Sequence, residues 1–331
     1  GGYEYKLIKN RLAAVKTPGI EDLTTDAMSG DDGLTLVEYS PFGVIGSITP
    51  TTNPTSTTIY KMLLALKTRN AIILSPHPHA VNCSIAAAKI IRDAAIEAGL
   101  PEHVISWVSV PSLEISDYLM KNVDLIMATG GSGMVKAAYS SGTPAIGVGP
   151  GNCNVVIDES ADLRMAVESI IHSKTFDNGM ICASEQAVIV DECLADDFER
   201  IMKENNCYFL NKEETKKVSD YVINPQKQAV NSAVVGKPAS WIAEQAGVKV
   251  PDKTKILIAL LPDVGPEYPL SREKLSPVLA YFKVKDWHQG FEYAQKMLNL
   301  GGLGHSAVIH STNNDLITLY GETMKVGRVI S

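Results

Sequence analysis

From Gly43 to Asp158 short runs of β-branched and other apolar residues alternate with longer stretches of helical spacing, the pattern of βαβ units around a parallel sheet. The apolar runs fall at 44–48, 71–74, 104–110, 125–128 and 155–157. Asn53 and Pro54 supply an N-cap residue and a first-turn proline, which predicts a helix over 55–67. Residues 80–98 are Ala-rich and end at Gly99 with Pro101 beyond, so a second helix is expected there. Residues 3–38 follow another pattern: a helix to about Ala14, a Gly/Asp turn over 29–33, and a strand over 34–39. That piece is expected to project from the sheet and to pair with another subunit.

A second series starts at Asp162. It predicts a helix to Lys174, a turn at Asp177-Asn178-Gly179, a strand over 186–190, and charged helices near 195–205 and 212–223. Strands over 255–260, 278–284 and 306–310 follow, with a helix over 287–300 between the last two. The expected fold class is therefore α/β, with a Rossmann-type domain over 1–151 and a second α/β domain over 152–331. The closing run from Val326 to Ser331 is strand-like, with no turn or polar tail after it. The second domain is accordingly expected to be incomplete at its C-terminus, its last strand unpartnered, and the chain alone to associate poorly.

The 331 residues are 45% apolar and 20% charged, the balance of an ordinary globular protein and not of a disordered or coiled-coil chain. Lys and Arg number 30 against 37 Asp and Glu, a net charge of −7, which speaks against nucleic acid or an anionic membrane as partner. No apolar run approaches the ~18 residues of a spanning helix, and the start lacks the apolar core of a signal peptide. Five cysteines without a CxxC pair fit neither a disulfide framework nor a zinc site. Reduced thiols, a cytoplasmic location and no metal are expected.

Several segments suggest chemistry. Thr129-Gly130-Gly131-Ser132-Gly133 joins a strand to a helix, where backbone N–H groups can bind phosphate, but Lys136 replaces the last glycine of GxGxxG, and a plain tight turn is the alternative. Gly147 to Gly151 reads as a second Gly-rich turn, a hinge or a close approach to a ligand. Cys182 lies between a turn and a strand, where a thiol can be presented to a cleft, although most such cysteines are small buried hydrophobes. Cys193 and Cys207 occupy polar, surface-like stretches. His77 and His79, flanked by prolines, read as a rigid loop; His305 follows a Gly-rich stretch; Glu273 by itself reads as a solvated charge.

Taken in order, these segments resemble the aldehyde dehydrogenase superfamily, and within it the CoA-acylating enzymes that form the aldehyde half of bifunctional aldehyde-alcohol dehydrogenases. The resemblance is carried by Pro50-Thr51-Thr52-Asn53-Pro54-Thr55-Ser56, Lys67-Thr68-Arg69-Asn70-Ala71, Ser75-Pro76-His77-Pro78, Ala128-Thr129-Gly130-Gly131 and the run from Lys136 to Gly142. It continues through Lys174-Thr175-Phe176-Asp177-Asn178-Gly179, Ile181-Cys182-Ala183-Ser184-Glu185-Gln186 and Glu273-Lys274-Leu275-Ser276-Pro277.

The resemblance implies that Cys182 is the nucleophile and that the Asn53 amide and the Cys182 N–H are oxyanion donors, with Asn53 one residue out of register relative to hydrolytic relatives. It implies an NAD site made by Ser75, His77, Pro78, Thr129, Gly130, Gly131, Gly149 and Glu273, and CoA as co-substrate. Where hydrolytic relatives carry the glutamate that activates water, this chain has Val148, which cannot accept a proton. The implied activity is reversible, NAD-dependent oxidation of a short-chain aldehyde to its acyl-CoA in a homo-oligomer. The alternatives are a hydrolytic aldehyde dehydrogenase, a semialdehyde or acyl-phosphate reductase, and a silent binding or assembly protein of the same fold. An alcohol dehydrogenase partner, a microcompartment and the free cytoplasm all remain open as settings.

Overall fold

The computed structural model describes residues 2–224, 226 and 228–331. The chain forms two compact units that divide between Gly149 and Pro150.

The first unit opens with helix α1 (Tyr3–Lys16) and an antiparallel hairpin, β1 (Asp26–Gly30) and β2 (Gly33–Val37). Every residue of both hairpin strands is exposed. Strand β1 carries no apolar alternation, and nothing in its sequence distinguishes it from a loop. There follow β3 (Val44–Ile48), α2 (Pro54–Lys67), β4 (Ala71–Ser75), α3 (Val81–Glu97), β5 (Ile105–Trp107), α4 (Leu113–Lys121), β6 (Leu125–Thr129), α5 (Ser132–Tyr139) and β7 (Ala145–Val148). The five strands from β3 on form a parallel sheet in the order β5-β4-β3-β6-β7. Counted within the sheet this is 3-2-1-4-5, so the chain reverses its winding between β3 and β6, the position at which doubly wound folds bind ligands beyond the strands' carboxyl ends.

Met62 of α2 and Ala88 of α3 pack on Ile45, Leu74, Ile105 and Met127, while Met120 and Ala138 meet Ile48 and Ile126. The run 104–110 yields only three strand residues, because beyond Trp107 the chain turns outward and exposes Val110. The expected turn at Gly147 and Val148 is instead the end of edge strand β7. A Cβ on Gly147 would lie 2.8 Å from Val135 and 2.9 Å from Tyr139 of α5, so this glycine admits the helix and does not make a turn.

The second unit contains β8 (Asn154–Ile157), α6 (Leu163–Thr175), β9 (Ala187–Asp191), α7 (Ala195–Glu204), β10 (Cys207–Leu210), α8 (Lys212–Val222) and a two-stranded hairpin of β11 (Ile223–Asn224) and β12 (Ala229–Val230). It continues with α9 (Ala239–Gln245), β13 (Ile256–Leu260), β14 (Val278–Val284), α10 (Trp287–Gly301), β15 (Ser306–His310), α11 (Asn314–Thr323) and β16 (Arg328–Ile330). Seven parallel strands run in the order β10-β13-β14-β9-β8-β15-β16. The near-continuous apolar runs of β9 and β14 are what a sheet covered on both faces requires. The run 155–157 belongs to this sheet, although its spacing continued the first series. Two further expectations are corrected. The closing strand has a partner, since Arg328–Ile330 pairs in parallel with Ser306–Val308. Cys207 is a buried strand residue, not a surface one, and burial pushes its thiol up to about 12.

Candidate active site

In the second unit the segment from α6 to β9 carries Cys182. It leaves the helix through three consecutive left-handed residues, Asp177 (φ 49°), Asn178 (φ 51°) and Gly179 (φ 66°). For Asp and Asn that conformation is tolerated because short polar side chains can bond locally, and Asn178 Nδ2 donates to the Gly236 carbonyl at 2.9 Å. Gly179 is required on a second ground: a Cβ there would lie 2.8 Å from the Ser276 carbonyl oxygen. Cys182 follows in a tight turn closed by Ser184 N–H donating to Ile181 O at 2.9 Å, and it is half-buried.

Gly151 seats that turn. A Cβ on Gly151 would collide with the Cys182 carbonyl oxygen and would stand 2.9 Å from Cε1 of His305. The Gly151 N–H donates to Glu273 Oε1 at 2.7 Å. Cysteine, histidine and glutamate thus converge on one glycine, although Cys182, Glu273 and His305 come from three separate stretches of the chain. Glu273 is therefore half-buried and hydrogen-bonded, contrary to the solvated charge its own sequence suggested. Burial pushes its carboxyl up, while the Gly151 N–H and the Lys174 and Lys274 ammonium groups pull it back.

Burial and the Arg328 guanidinium hold His305 below the ordinary histidine range. Its Nδ1 lies 3.2 Å from Ser306 Oγ, which also accepts from Arg328 at 3.0 and 3.2 Å. The glycines before it were the only signal in the sequence. Among the other cysteines, Cys153 is buried, and burial raises its thiol far above the usual range; Cys83 and Cys193 are exposed.

In the first unit, Asn53 stands at the N-cap position of α2, as its sequence predicts, but its side chain makes no capping bond. Instead the Thr52 hydroxyl donates to Asn53 Oδ1 at 3.0 Å. That orients the amide and leaves Nδ2 as the end able to donate elsewhere. Asn53 also lines a cavity of about 340 Å³ between α1 and α2, with Lys9, Leu12, Ser56, Thr57 and Tyr60 among its walls.

The glycine-rich turn follows β6 at the winding reversal, with Gly131 as the N-cap of α5. A Cβ at Gly131 or Gly149 would meet nothing within 4 Å, so the backbone there is open to a ligand. Thr129 at the end of β6 pairs with Val148 at the end of β7, and Ser75 ends β4. His77 and Pro78 begin the short turn into α3, where His79 N–H donates to His77 Nδ1 at 3.1 Å. These residues therefore cluster by strand end, the placement a dinucleotide needs in this fold.

The first unit is a doubly wound sheet with an open glycine-rich turn at its switch point, the second a parallel sheet that carries a braced cysteine turn, and both are of the α/β class. The chain belongs to the aldehyde dehydrogenase family, whose sequence profile matches residues 11–331. It is similar to the aldehyde-alcohol dehydrogenase of Streptococcus pneumoniae, with 46% identity over 98% of this chain and 37% of that protein. Among solved structures it is similar to an acetylating aldehyde dehydrogenase from Geobacillus thermoglucosidasius, with a TM-score of 0.88 and 44% identity over 98% of this chain and 72% of that one. It also resembles a Rhodopseudomonas palustris propionaldehyde dehydrogenase with bound propionyl-CoA, with a TM-score of 0.89 and 38% identity over 100% of this chain and 73% of that one. The chain spans under two fifths of the length of the aldehyde-alcohol dehydrogenases it matches.

Proposed function

We propose that the protein interconverts a short-chain aldehyde and its acyl-CoA through a thioester on Cys182. The observation that carries this reading is the convergence on Gly151, which seats the Cys182 turn beside a half-buried histidine and a hydrogen-bonded carboxylate. The thiolate attacks the aldehyde carbon, and the resulting oxyanion is held by the Asn53 Nδ2 donor and the Cys182 N–H. Bound NAD would supply the hydride acceptor that the Cys182 adduct needs to become a thioester. Ser75, His77, Pro78, Thr129, Gly130, Gly131 and Gly149 would hold the cofactor, with Glu273 at its ribose. The CoA thiolate then attacks the thioester carbon and releases the Cys182 thiolate.

Val148 supports release to a thiol in preference to water, because an aliphatic side chain cannot activate water. The bound propionyl-CoA of one relative and the acylated cysteine of another structure of that enzyme support the same chemistry. One related engineered reductase holds NADP+, so the choice of NAD rests on the resemblance of the cofactor segments. The exposed hairpin, with Met28, Leu34 and Leu36 outward, supports a homo-oligomer. Among the described residues no helix is long and apolar enough to cross a membrane; we place the protein in the cytoplasm, free or in a microcompartment, as for one relative, or beside an alcohol dehydrogenase. Incubation with propionyl-CoA followed by peptide mass spectrometry tests the assignment: the acyl mass is expected on Cys182, and its appearance on another cysteine or nowhere contradicts it.

A further inference from the structure

Lys174 is fully buried in the last turn of α6, where an ammonium is costly unless it is paired. Its carbonyl faces the space beside Gly179 at one end of the segment that carries Cys182, and its ammonium bonds the other end. The Lys174 carbonyl oxygen lies 3.1 Å from where a Cβ on Gly179 would stand, and Lys174 Nζ donates to Gln186 Oε1 at 3.4 Å.

Gln186, itself fully buried, ties that end down. Its N–H donates to Cys153 O at 2.7 Å, its Nε2 to Ser184 O at 2.9 Å, and its Oε1 also accepts from Lys274 N at 2.9 Å. Ser184 is two residues from Cys182, and Lys274 adjoins Glu273, so one amide joins the thiol turn to the glutamate segment. Glu185 is buried beside it, with Oε2 unpartnered among the described residues, and exerts the largest charge effect that favours the Lys174 ammonium. Lys274, the other buried lysine here, is satisfied by the carbonyls of Leu270 and Arg272 at 2.6 and 2.7 Å and makes no bond to the turn through its ammonium.

We propose that Lys174 is a positioning residue for Cys182, acting through Gln186 to hold the 179–186 segment in its reactive arrangement. This rests on the reading of Cys182 as nucleophile. A purely structural core position would be served as well by an apolar side chain of similar length. A positioning residue would not, because displacement of a reacting group by about 1 Å can cost ~100-fold in rate.

The test uses the whole chain with Lys174→Met and with Lys174→Met/Glu185→Gln. The double variant removes both charges together, which avoids leaving one of them buried alone. Four quantities are measured: the melting temperature, the rate of Cys182 alkylation by iodoacetamide, and kcat and KM with propionaldehyde, NAD and CoA. The double variant is expected to fold, with Cys182 alkylation and kcat both down at least tenfold and KM for the aldehyde within twofold. Wild-type alkylation in the folded double variant overturns the proposal, whatever its kcat. Failure of both variants to fold also overturns it, since Lys174 would then be a folding element alone. Turnover retained by Cys182→Ala would instead sink the nucleophile reading, and the alkylation rate, which needs no turnover, judges Lys174 separately.

Discussion

The Glu273 carboxylate accepts the Gly151 N–H at 2.7 Å, and Gly151 in turn lies against the Cys182 carbonyl. A residue that resembles a cofactor-ribose ligand is thus also a brace of the thiol turn, and the two roles can be separated by substitution.

Glu273→Gln keeps an acceptor for the Gly151 N–H and is expected to leave melting nearly unchanged while raising the KM for NAD. Glu273→Leu leaves that N–H unpaired, at a cost of about 1–3 kcal/mol, and should lower kcat as well. Melting curves with steady-state kinetics on both variants check this; equal effects of the two on stability would contradict the brace.

Asn53→Ala removes one proposed oxyanion donor, so kcat should fall by roughly 10²–10³ with little change in NAD affinity. Thr52→Val, which removes the hydroxyl that donates to Asn53 Oδ1, should produce a smaller loss in the same direction. Full activity of Asn53→Ala in a steady-state assay would pass the role to backbone groups.

Lys61 of α2 is fully buried, donates to the carbonyls of Ile48 and Met127 at 2.8 Å each, and is lowered by burial to about 7. Its folded value lies below the ordinary 10.5. Between pH 7 and 10.5 the unfolded chain therefore binds more protons at this site, and its contribution to stability rises with pH. Lys61→Met should remove that slope, so the melting temperature of wild type minus variant should increase from pH 7 to pH 9.5. A difference independent of pH would mean that Lys61 titrates normally.

The hairpin of β1 and β2 exposes Met28, Leu34 and Leu36 at 58, 64 and 56% of their surface. If it joins subunits, Leu34→Glu/Leu36→Glu should reduce the mass seen by light scattering without lowering helix content. An unchanged mass would assign the contact to another surface.

Elements whose pattern is set by burial on both faces were legible beforehand: 278–284 and 306–310 coincide with β14 and β15, and α3 ends where Gly99 predicts. Strands β1 and β7 were not, because each shows too little apolar alternation to be told from a loop. Cys182 and Asn53 were singled out mainly through resemblance, and the closing of Gly151 on the Cys182 carbonyl could not be read from spacing. Lys174, Gln186 and His305 gain their places only when β8, β9, β14 and β15 come side by side, a long-range arrangement that no local pattern encodes.

A thioester on Cys182 that waits for CoA would show itself in the time course of NADH after mixing enzyme, NAD and propionaldehyde without CoA. NADH is expected in a burst of about one equivalent per active site, then near arrest, because the covalent intermediate accumulates. Addition of CoA should restart the reaction and yield propionyl-CoA. Steady NADH formation with propionate as product and no need for CoA would contradict it.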